Sequence, residues 1–424
     1  MNAFDAAAVL IAVAAVAGYV NHRLLHLPAT SGTLVVALVS SLAIVTVEAA
    51  FPTLGLRESL SAFLGEIDFN ETLMHGMLCF LLFAGALNVD LEGLLEHKWT
   101  IASLATVGVL LSTAAIGTGT WWLFGVLGME VPLLYCLVFG AIISPTDPVA
   151  VMGLLKELKA PKGLESQIAG ESLFNDGVSV VVFFALLSVA GLSNGGEAGE
   201  LTLQAGPLLT FFAREVMGGI ALGLGMGYVG YQALKSLNEH SLELLITVAL
   251  AMFMYSVSFW IEVSGPIAVV TAGLLIGNPG RKFAMSEDTK AHVDAFWYMV
   301  DEILNAVLFL LIGLEFIAVE IAPGLLAAAV LTVPLVLAAR LVSVTVPVTA
   351  MSVAGRFSRG IVPILTWSGL RGGISVAMVL SLSPFPARDL LVACTYSVVI
   401  FSILVQGLTV RRVLVHYGVG EPTS

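Results

Sequence analysis

Long apolar runs alternate with short charged or Gly/Pro-containing segments along the whole chain. A helix needs about 20 apolar residues to cross the hydrocarbon core of a bilayer. The pattern predicts about thirteen such helices, of which the ninth is short and the eleventh is long. They cover residues 3–20, 31–51, 72–89, 100–127, 131–155, 166–192, 207–234, 242–263, 265–277, 295–319, 321–353, 361–382 and 389–410. The fold class that follows is an all-α polytopic membrane protein.

Composition supports a protein whose surface faces lipid. Of the 424 residues, 58% are hydrophobic and 11% are charged, whereas soluble domains carry about a quarter charged residues. The formal net charge of −12 and the absence of a basic tail argue against a nucleic-acid partner. Cys79, Cys136 and Cys394 lie in apolar runs without CxxC spacing, so they predict neither a disulfide framework nor a metal site.

The lysines and arginines predict the orientation of the chain, because short cytoplasmic loops are enriched in these residues. Thirteen of the 18 fall on one side when alternate loops are assigned to it. They are Arg23, Lys98, Lys156, Lys159, Lys162, Lys235, Arg281, Lys282, Lys290, Arg356, Arg359, Arg411 and Arg412. Arg57 and Arg388 fall on the opposite side, and Arg214, Arg340 and Arg371 fall within apolar spans. We therefore expect an external N-terminus and a cytoplasmic C-terminus.

The fifth predicted helix carries an acid between two prolines. Inserting an ionised side chain near the bilayer centre costs about 2.5 to 3.5 kcal/mol, so such a residue in a membrane helix indicates a structural or functional role. In GAIISPTDPVAV, Pro145 and Pro148 bracket Thr146 and Asp147, so the helix should open there. The freed carbonyls, including that of Thr146, become candidate cation ligands. A proline kink that only shapes packing is the alternative.

The twelfth predicted helix is interrupted in the same manner. Residues 369–373 (GLRGG) place Arg371 among glycines within an apolar run, and glycine favours a loss of helical structure. The two breaks occupy the fifth position of each half if six helices, a connecting seventh and six more form an inverted repeat. Secondary transporters with an ion site at the bilayer midplane have this organisation. No residue identity between the halves demonstrates the repeat.

The sixth predicted helix carries a polar stripe in GESLFNDGVSVVVF. Glu171 and Asn175 are i,i+4 neighbours, as are Ser172 and Asp176. Asp176 has no basic residue within helical reach, so a cation or a proton must neutralise its charge. Oxygens of Asp176, Ser172, Asn175 and Thr146 suit a hard monovalent cation, and competition with a proton for Asp176 would produce exchange. The alternative is a hydrogen-bonded stripe that only joins helices.

These motifs give the chain a strong resemblance to the monovalent cation:proton antiporter-1 family, the NhaP/NHE type of sodium/proton exchangers. The residues that carry it are 144–151 (SPTDPVAV), 170–176 (GESLFND), 369–373 (GLRGG) and 309–316 (FLLIGLEF). The resemblance implies a NhaA/NhaP-like inverted repeat with two unwound crossing helices in a prokaryotic inner membrane. It also implies an ion-transport core domain at about 72–192 and 295–382, a linker helix at 207–234, and a dimerisation domain that forms a homodimer.

The resemblance also implies a role for each polar residue at the breaks. Asp176 would be the carboxylate shared by proton and cation, with Ser172 and the Thr146 backbone as further cation ligands. Asn175, in place of a second aspartate, is associated with electroneutral exchange. Glu171 would pair with Arg340. Asp147 is a further candidate for binding the cation or proton and would also have a structural role near Arg371. Ala84 stands near a position where some relatives carry a glutamate, which leaves the preference among Na⁺, Li⁺ and K⁺ open.

The function that follows is exchange of Na⁺ or Li⁺ for H⁺, with 1:1 stoichiometry, no enzymatic activity and no cofactor. K⁺/H⁺ exchange by the same site is an alternative. Carboxylates and opened carbonyls also build cation channels. Two membrane acids, Asp147 and Asp176, could form the dyad of an intramembrane aspartyl protease, but neither lies in the GxGD motif typical of those enzymes. A proton-coupled symporter of an organic solute lacks an evident aromatic pocket.

One further pattern concerns packing. Gly219, Gly223 and Gly227 recur every four residues in the seventh predicted helix. A row of small residues allows two membrane helices to approach closely. We expect this face mainly to pack within one chain, with a contribution to a dimer as the alternative.

Overall fold

A computed structural model describes residues 3–51, 55, 72–192, 205–316, 323–352 and 360–420. These residues form helices joined by short connections, and within them we find no β-strand beyond a single bridge between Asp147 and Leu370. The helices are α1 (Ala3–Val20), α2 (Ala29–Ala50), α3 (Leu78–Leu87), α4 (Leu91–Glu96), α5 (Lys98–Val126), α6 (Leu133–Ile143), α7 (Val149–Glu157), α8 (Lys162–Val189), α9 (Ala205–Lys235), α10 (His240–Trp260), α11 (Gly265–Leu275), α12 (Arg281–Ala284), α13 (Glu287–Glu315), α14 (Pro323–Ser352), α15 (Ile361–Ser368), α16 (Gly373–Leu380) and α17 (Arg388–His416).

Every predicted membrane segment contains at least one helix. Nine helices within the described ranges are long and apolar enough to cross a bilayer, namely α1, α2, α5, α8, α9, α10, α13, α14 and α17. The fold class of a helical, polytopic membrane protein is therefore confirmed, whereas the number of thirteen crossings stays a prediction. The start of the predicted segment 321–353 and the basic residues Arg57, Arg356 and Arg359 lie outside the described residues.

The start of α13 follows local capping chemistry more closely than hydropathy. α13 begins at Glu287, about two turns before the predicted start at residue 295. The Ser286 side chain accepts a hydrogen bond from the Thr289 N–H at 3.1 Å and caps the helix. Because the first two turns are polar, the apolar pattern detects only the part of α13 that enters the membrane.

The helices pack in two groups. α5, α6, α8, α14, α15, α16 and α17 contact one another, and α1, α2, α3, α9, α10, α11 and α13 form the second group. The groups meet where α8 contacts α11 and α9, and where α13 contacts α16. α3 and α13 lie within the expected core at about 72–192 and 295–382 but pack in the second group, while α17 lies outside it and packs in the first. The domain boundaries stay a prediction.

The glycine row of α9 packs against α11 of the same chain. A Cβ added at Gly219 would lie 2.8 Å from the Ser264 carbonyl oxygen, and one at Gly227 would lie 3.1 Å from the Ala272 Cα. Both distances are shorter than ordinary van der Waals contact, so a larger side chain would separate the helices. The row therefore serves packing within the chain, as the sequence predicted.

Candidate functional site

The two interrupted helices meet at their breaks. α6 ends at Ile143 and α7 begins at Val149, while α15 ends at Ser368 and α16 begins at Gly373. The Asp147 N–H donates a hydrogen bond to the Leu370 carbonyl oxygen at 2.8 Å, within an antiparallel bridge. Two segments about 220 residues apart in sequence thus cross, and four half-helix ends come together.

Two arginines lie at the C-terminal ends of the half-helices. Arg371 Nη1 donates to the carbonyl oxygens of Ser144 and Pro145 at 2.5 and 2.8 Å, directly after α6. Arg340 Nη2 donates to the Leu365 carbonyl oxygen in the last turn of α15 at 3.0 Å. The last carbonyls of a helix have no partner within it and carry partial negative charge. Both guanidinium groups are buried and offset this charge.

Asp147 lies at the N-terminal ends. Its Oδ1 accepts a hydrogen bond from the Val149 N–H, the first residue of α7, at 2.9 Å. Its side chain also packs against Gly372, since a Cβ added there would lie 2.8 Å from the Asp147 carboxyl carbon. Gly372 immediately precedes α16. A carboxylate at two N-termini offsets their partial positive charge, so Asp147 has the electrostatic function opposite to that of the arginines.

The tight contact at Gly372 predicts an effect of adding a methyl group. In Gly372→Ala, the new Cβ would lie 2.7 Å from the Asp147 Cβ, so one of the two crossing segments must shift. We expect a loss of about 1–3 kcal/mol in the free energy of unfolding, the usual cost of overpacking. Thermal unfolding of the purified variant in detergent measures this effect. Gly153→Ala is the matched control, because a Cβ there meets no atom within 4 Å; equal stability of the two variants would contradict the prediction.

The polar residues of α8 face the first break. Asn175 Nδ2 donates to Thr146 Oγ1 at 2.7 Å, and the Thr146 N–H donates to Asn175 Oδ1 at 3.3 Å. The hydroxyls of Thr146 and Ser172 are 3.0 Å apart. All three side chains are buried. The structure thus brings Thr146, Ser172 and Asn175 together, and both ends of the Asn175 amide hold the opened segment onto α8.

Asp176 follows Asn175 on α8 and lies one turn beyond Ser172. Its side chain is buried, with 8% of the residue exposed. It makes no hydrogen bond and no ion pair with any part of the chain that the structure describes. The charge of Asp147 acts on it electrostatically. Asp176 is therefore a buried carboxylate one helical turn from the Ser172 hydroxyl, and among the described residues no side chain forms an ion pair with it.

Glu171 and Arg340 form an ion pair across the site. Arg340 Nη1 lies 2.5 Å from Glu171 Oε1, and both side chains are nearly inaccessible to solvent. Arg371, in contrast, binds backbone carbonyls and does not form an ion pair with Asp147. Asp147 instead pairs through its backbone with Leu370, the residue before Arg371. Asp147 and Arg371 therefore lie in the same crossing but compensate opposite ends of the half-helices.

Several supporting residues were not predicted from the sequence. Ser144 joins the first break to α5 through the Thr113 hydroxyl at 3.0 Å. Ser402 on α17 accepts a hydrogen bond from the Arg371 N–H at 2.8 Å and donates to Gln406. The i,i+4 spacing of Ser402 and Gln406 within an apolar span is a signal that could have identified them.

Comparisons with known proteins show the family of the chain and a likeness of its fold. The family profile described as "Sodium/hydrogen exchanger, transmembrane" matches residues 11–416. The Na(+)/H(+) antiporter NhaP of Pseudomonas aeruginosa is 43% identical over 426 residues, which cover 99% of this chain and 98% of that protein. The Na(+)/H(+) antiporter NhaH of Halobacillus dabanensis is 34% identical over 356 residues, with 82% and 84% covered. The solved structure of the sodium proton antiporter MjNhaP1 from Methanocaldococcus jannaschii matches over 100% of both chains with a TM-score of 0.75 and 17% identity, a likeness of fold.

Proposed function

This chain belongs to the sodium/hydrogen exchanger family and is an integral membrane protein, and from that premise we propose that it exchanges Na⁺ or Li⁺ for H⁺. The observation that carries the proposal is the buried carboxylate of Asp176, which has no hydrogen bond or ion pair among the described residues. It lies one turn beyond Ser172, whose hydroxyl contacts Thr146 in the α6–α7 break. A hard monovalent cation binds several oxygen atoms, which Asp176, Ser172 and Thr146 can supply. A proton needs only the carboxylate, so the two ions exclude each other at one site.

The charges around the crossing support an electroneutral 1:1 exchange. Glu171 is neutralised by Arg340. Asp147 and Arg371 carry opposite charges and compensate opposite half-helix ends. Among the described residues at the crossing, Asp176 is the acid whose charge no ion pair or helix end compensates. One carboxylate that carries either one monovalent cation or one proton transfers no net charge per cycle.

Asn175 contributes to the site by fixing the position of Thr146 in the opened segment. Because its amide is occupied by the backbone and hydroxyl of Thr146, we assign it to holding the opened segment against α8 more than to binding the ion. Asp147, Arg340 and Arg371 together offset the partial charges of the four half-helix ends that surround the site. The ligand set proposed for the transported cation is Asp176, Ser172 and Thr146.

The packing groups suggest which parts move. We propose that α5–α8 and α14–α17 form the ion-transport unit, in place of the boundaries first expected, and that it moves against the remaining helices to give alternating access. α9 would act as the linker and the second group as the dimerisation unit of a homodimer. We further propose a prokaryotic inner membrane, with the C-terminus in the cytoplasm.

Proteoliposomes with an imposed pH gradient test the proposed exchange. We expect Na⁺ or Li⁺ to dissipate the gradient, and choline to have no effect. The rate should not change when the membrane potential is clamped, because a 1:1 exchange moves no net charge. Dissipation by K⁺ at the same concentration would favour K⁺/H⁺ exchange, and a response to the potential would contradict the 1:1 stoichiometry. No response to any cation over a range of pH would contradict antiport.

A further inference from the structure

α13 carries polar residues on the face that meets the crossing. Asp301, Asn305 and Leu308 are four and three residues apart, so they lie on one face of this helix. Leu308 contacts the start of α16, because a Cβ added at Gly373 would lie 2.5 Å from Leu308 Cδ2. Asn305 and Asp301 follow at one and two turns from that contact, towards the beginning of α13. The polar face therefore leads from one side of the membrane to the crossing.

Placing the Asp301 and Asn305 side chains inside a membrane costs free energy. Asn305 is buried, with 5% of the residue exposed, and its side chain interacts with the Asp301 carboxylate, although its Nδ2 forms no hydrogen bond of normal geometry within the described ranges. Asp301 is half-buried and forms no ion pair there. Its charge interacts with those of Asp147 at the crossing and of the adjacent Glu302 and, with opposite sign, with that of Lys156 at the end of α7. An intramembrane acid that has a buried amide beside it, and no ion pair among the described residues, indicates a cationic ligand.

We propose that Asp301 and Asn305 form an entry site for the transported cation on the side of the membrane where α13 begins. The carboxylate would concentrate cations before they reach Asp176. The Asn305 amide offers an oxygen ligand to the cation and N–H groups to its remaining water. This inference rests on the proposed exchange function. It adds a first binding site, which the ion would occupy before it reaches Asp176.

The neighbouring residue provides a matched control. Glu302 follows Asp301 in sequence and carries the same charge, but it is exposed and lines a cavity between α1, α2 and α13 with Asn21 and His22. It points about 100° away around the helix. Removing its charge changes the net charge of the protein as much as removing that of Asp301. A difference between the two variants therefore reports the position of the acid.

The test is the apparent KM for Na⁺, measured from each side in right-side-out and inside-out membrane vesicles. We expect Asp301→Asn to raise KM about fivefold on the side where α13 begins, with little change in kcat or in KM on the other side. Glu302→Gln should leave both KM values within about twofold of the native values. Asp301→Glu, which restores the charge, should restore the native KM.

The KM values of these variants decide between the entry site and its absence. A native KM in Asp301→Asn, or an equal change in Glu302→Gln, would overturn the entry site and leave the exchange function intact. A change of KM on both sides would also overturn it. If Asp301→Asn does not fold, Asn305→Asp adds a carboxylate to the same face and should lower KM on the same side; an unchanged KM would then reject the inference. Absence of exchange in the native protein would instead overturn the proposed function and the entry site together.

Discussion

Asp176→Asn is expected to abolish Na⁺-dependent proton movement in proteoliposomes, reducing its rate about 100-fold or more, as the loss of a proton-transferring group usually does. Asparagine has nearly the same shape as aspartate, but it cannot take up a proton at neutral pH and carries no charge to bind a cation. Both halves of the exchange therefore fail at once. The measurement is the collapse of an imposed pH gradient after addition of Na⁺, for native and variant protein at equal reconstitution density.

The fold should survive this substitution. Asp176 makes no hydrogen bond or ion pair among the described residues, so replacing it removes a desolvated charge and breaks no contact. We expect the thermal unfolding midpoint in detergent to stay the same or to rise. Asp288→Asn is the matched control, because Asp288 is an exposed acid at the start of α13. Exchange at the native rate in Asp176→Asn would exclude Asp176 as the shared carboxylate.

The positions of the breaks could be predicted because they depend on local backbone chemistry. Pro145 and Pro148 remove donors from the α6–α7 segment, and the glycines around Arg371 weaken the helix between α15 and α16. These effects act over a few residues, and the structure interrupts both helices there. The polar stripe of α8 could be predicted equally well, because helical periodicity alone places Ser172 and Asp176 on one face.

Contacts between distant segments could not be predicted in this way. The bridge between Asp147 and Leu370 depends on how two half-helices cross. For the same reason, the sequence did not indicate that Arg371 binds the carbonyls of Ser144 and Pro145. The contacts that group the helices could not be predicted either, since all membrane helices have similar hydropathy and their apolar faces do not specify a partner. Asp301 and Asn305 did carry a local signal, their i,i+4 spacing inside a predicted span.

Arg340→Ala is expected to have the largest effect on stability. Arg340 pairs with the buried Glu171 at 2.5 Å and donates to the Leu365 carbonyl oxygen at 3.0 Å. Its removal leaves a buried carboxylate without a partner and uncovers the end of α15. Breaking a buried ion pair from one side usually costs about 3–5 kcal/mol. We expect much less folded protein and a lower thermal unfolding midpoint, with an unchanged order of cation preference in the protein that does fold.

Removing the charges of both Arg340 and Glu171 tests whether the loss of stability comes from an isolated buried charge or from truncation of the arginine side chain. Arg340→Met combined with Glu171→Gln leaves no isolated charge in the site, so it should be more stable than either Arg340→Met or Glu171→Gln alone. The double variant should still lack the donor to Leu365, and its stability should stay below that of the native protein. A normal yield with an altered cation preference in Arg340→Ala would contradict a structural function. Among the described residues at the crossing, Asp176 is the acid without an ion pair, whereas Glu171 is paired with Arg340. The double variant keeps Asp176, so if it folds it should also carry out cation-dependent exchange.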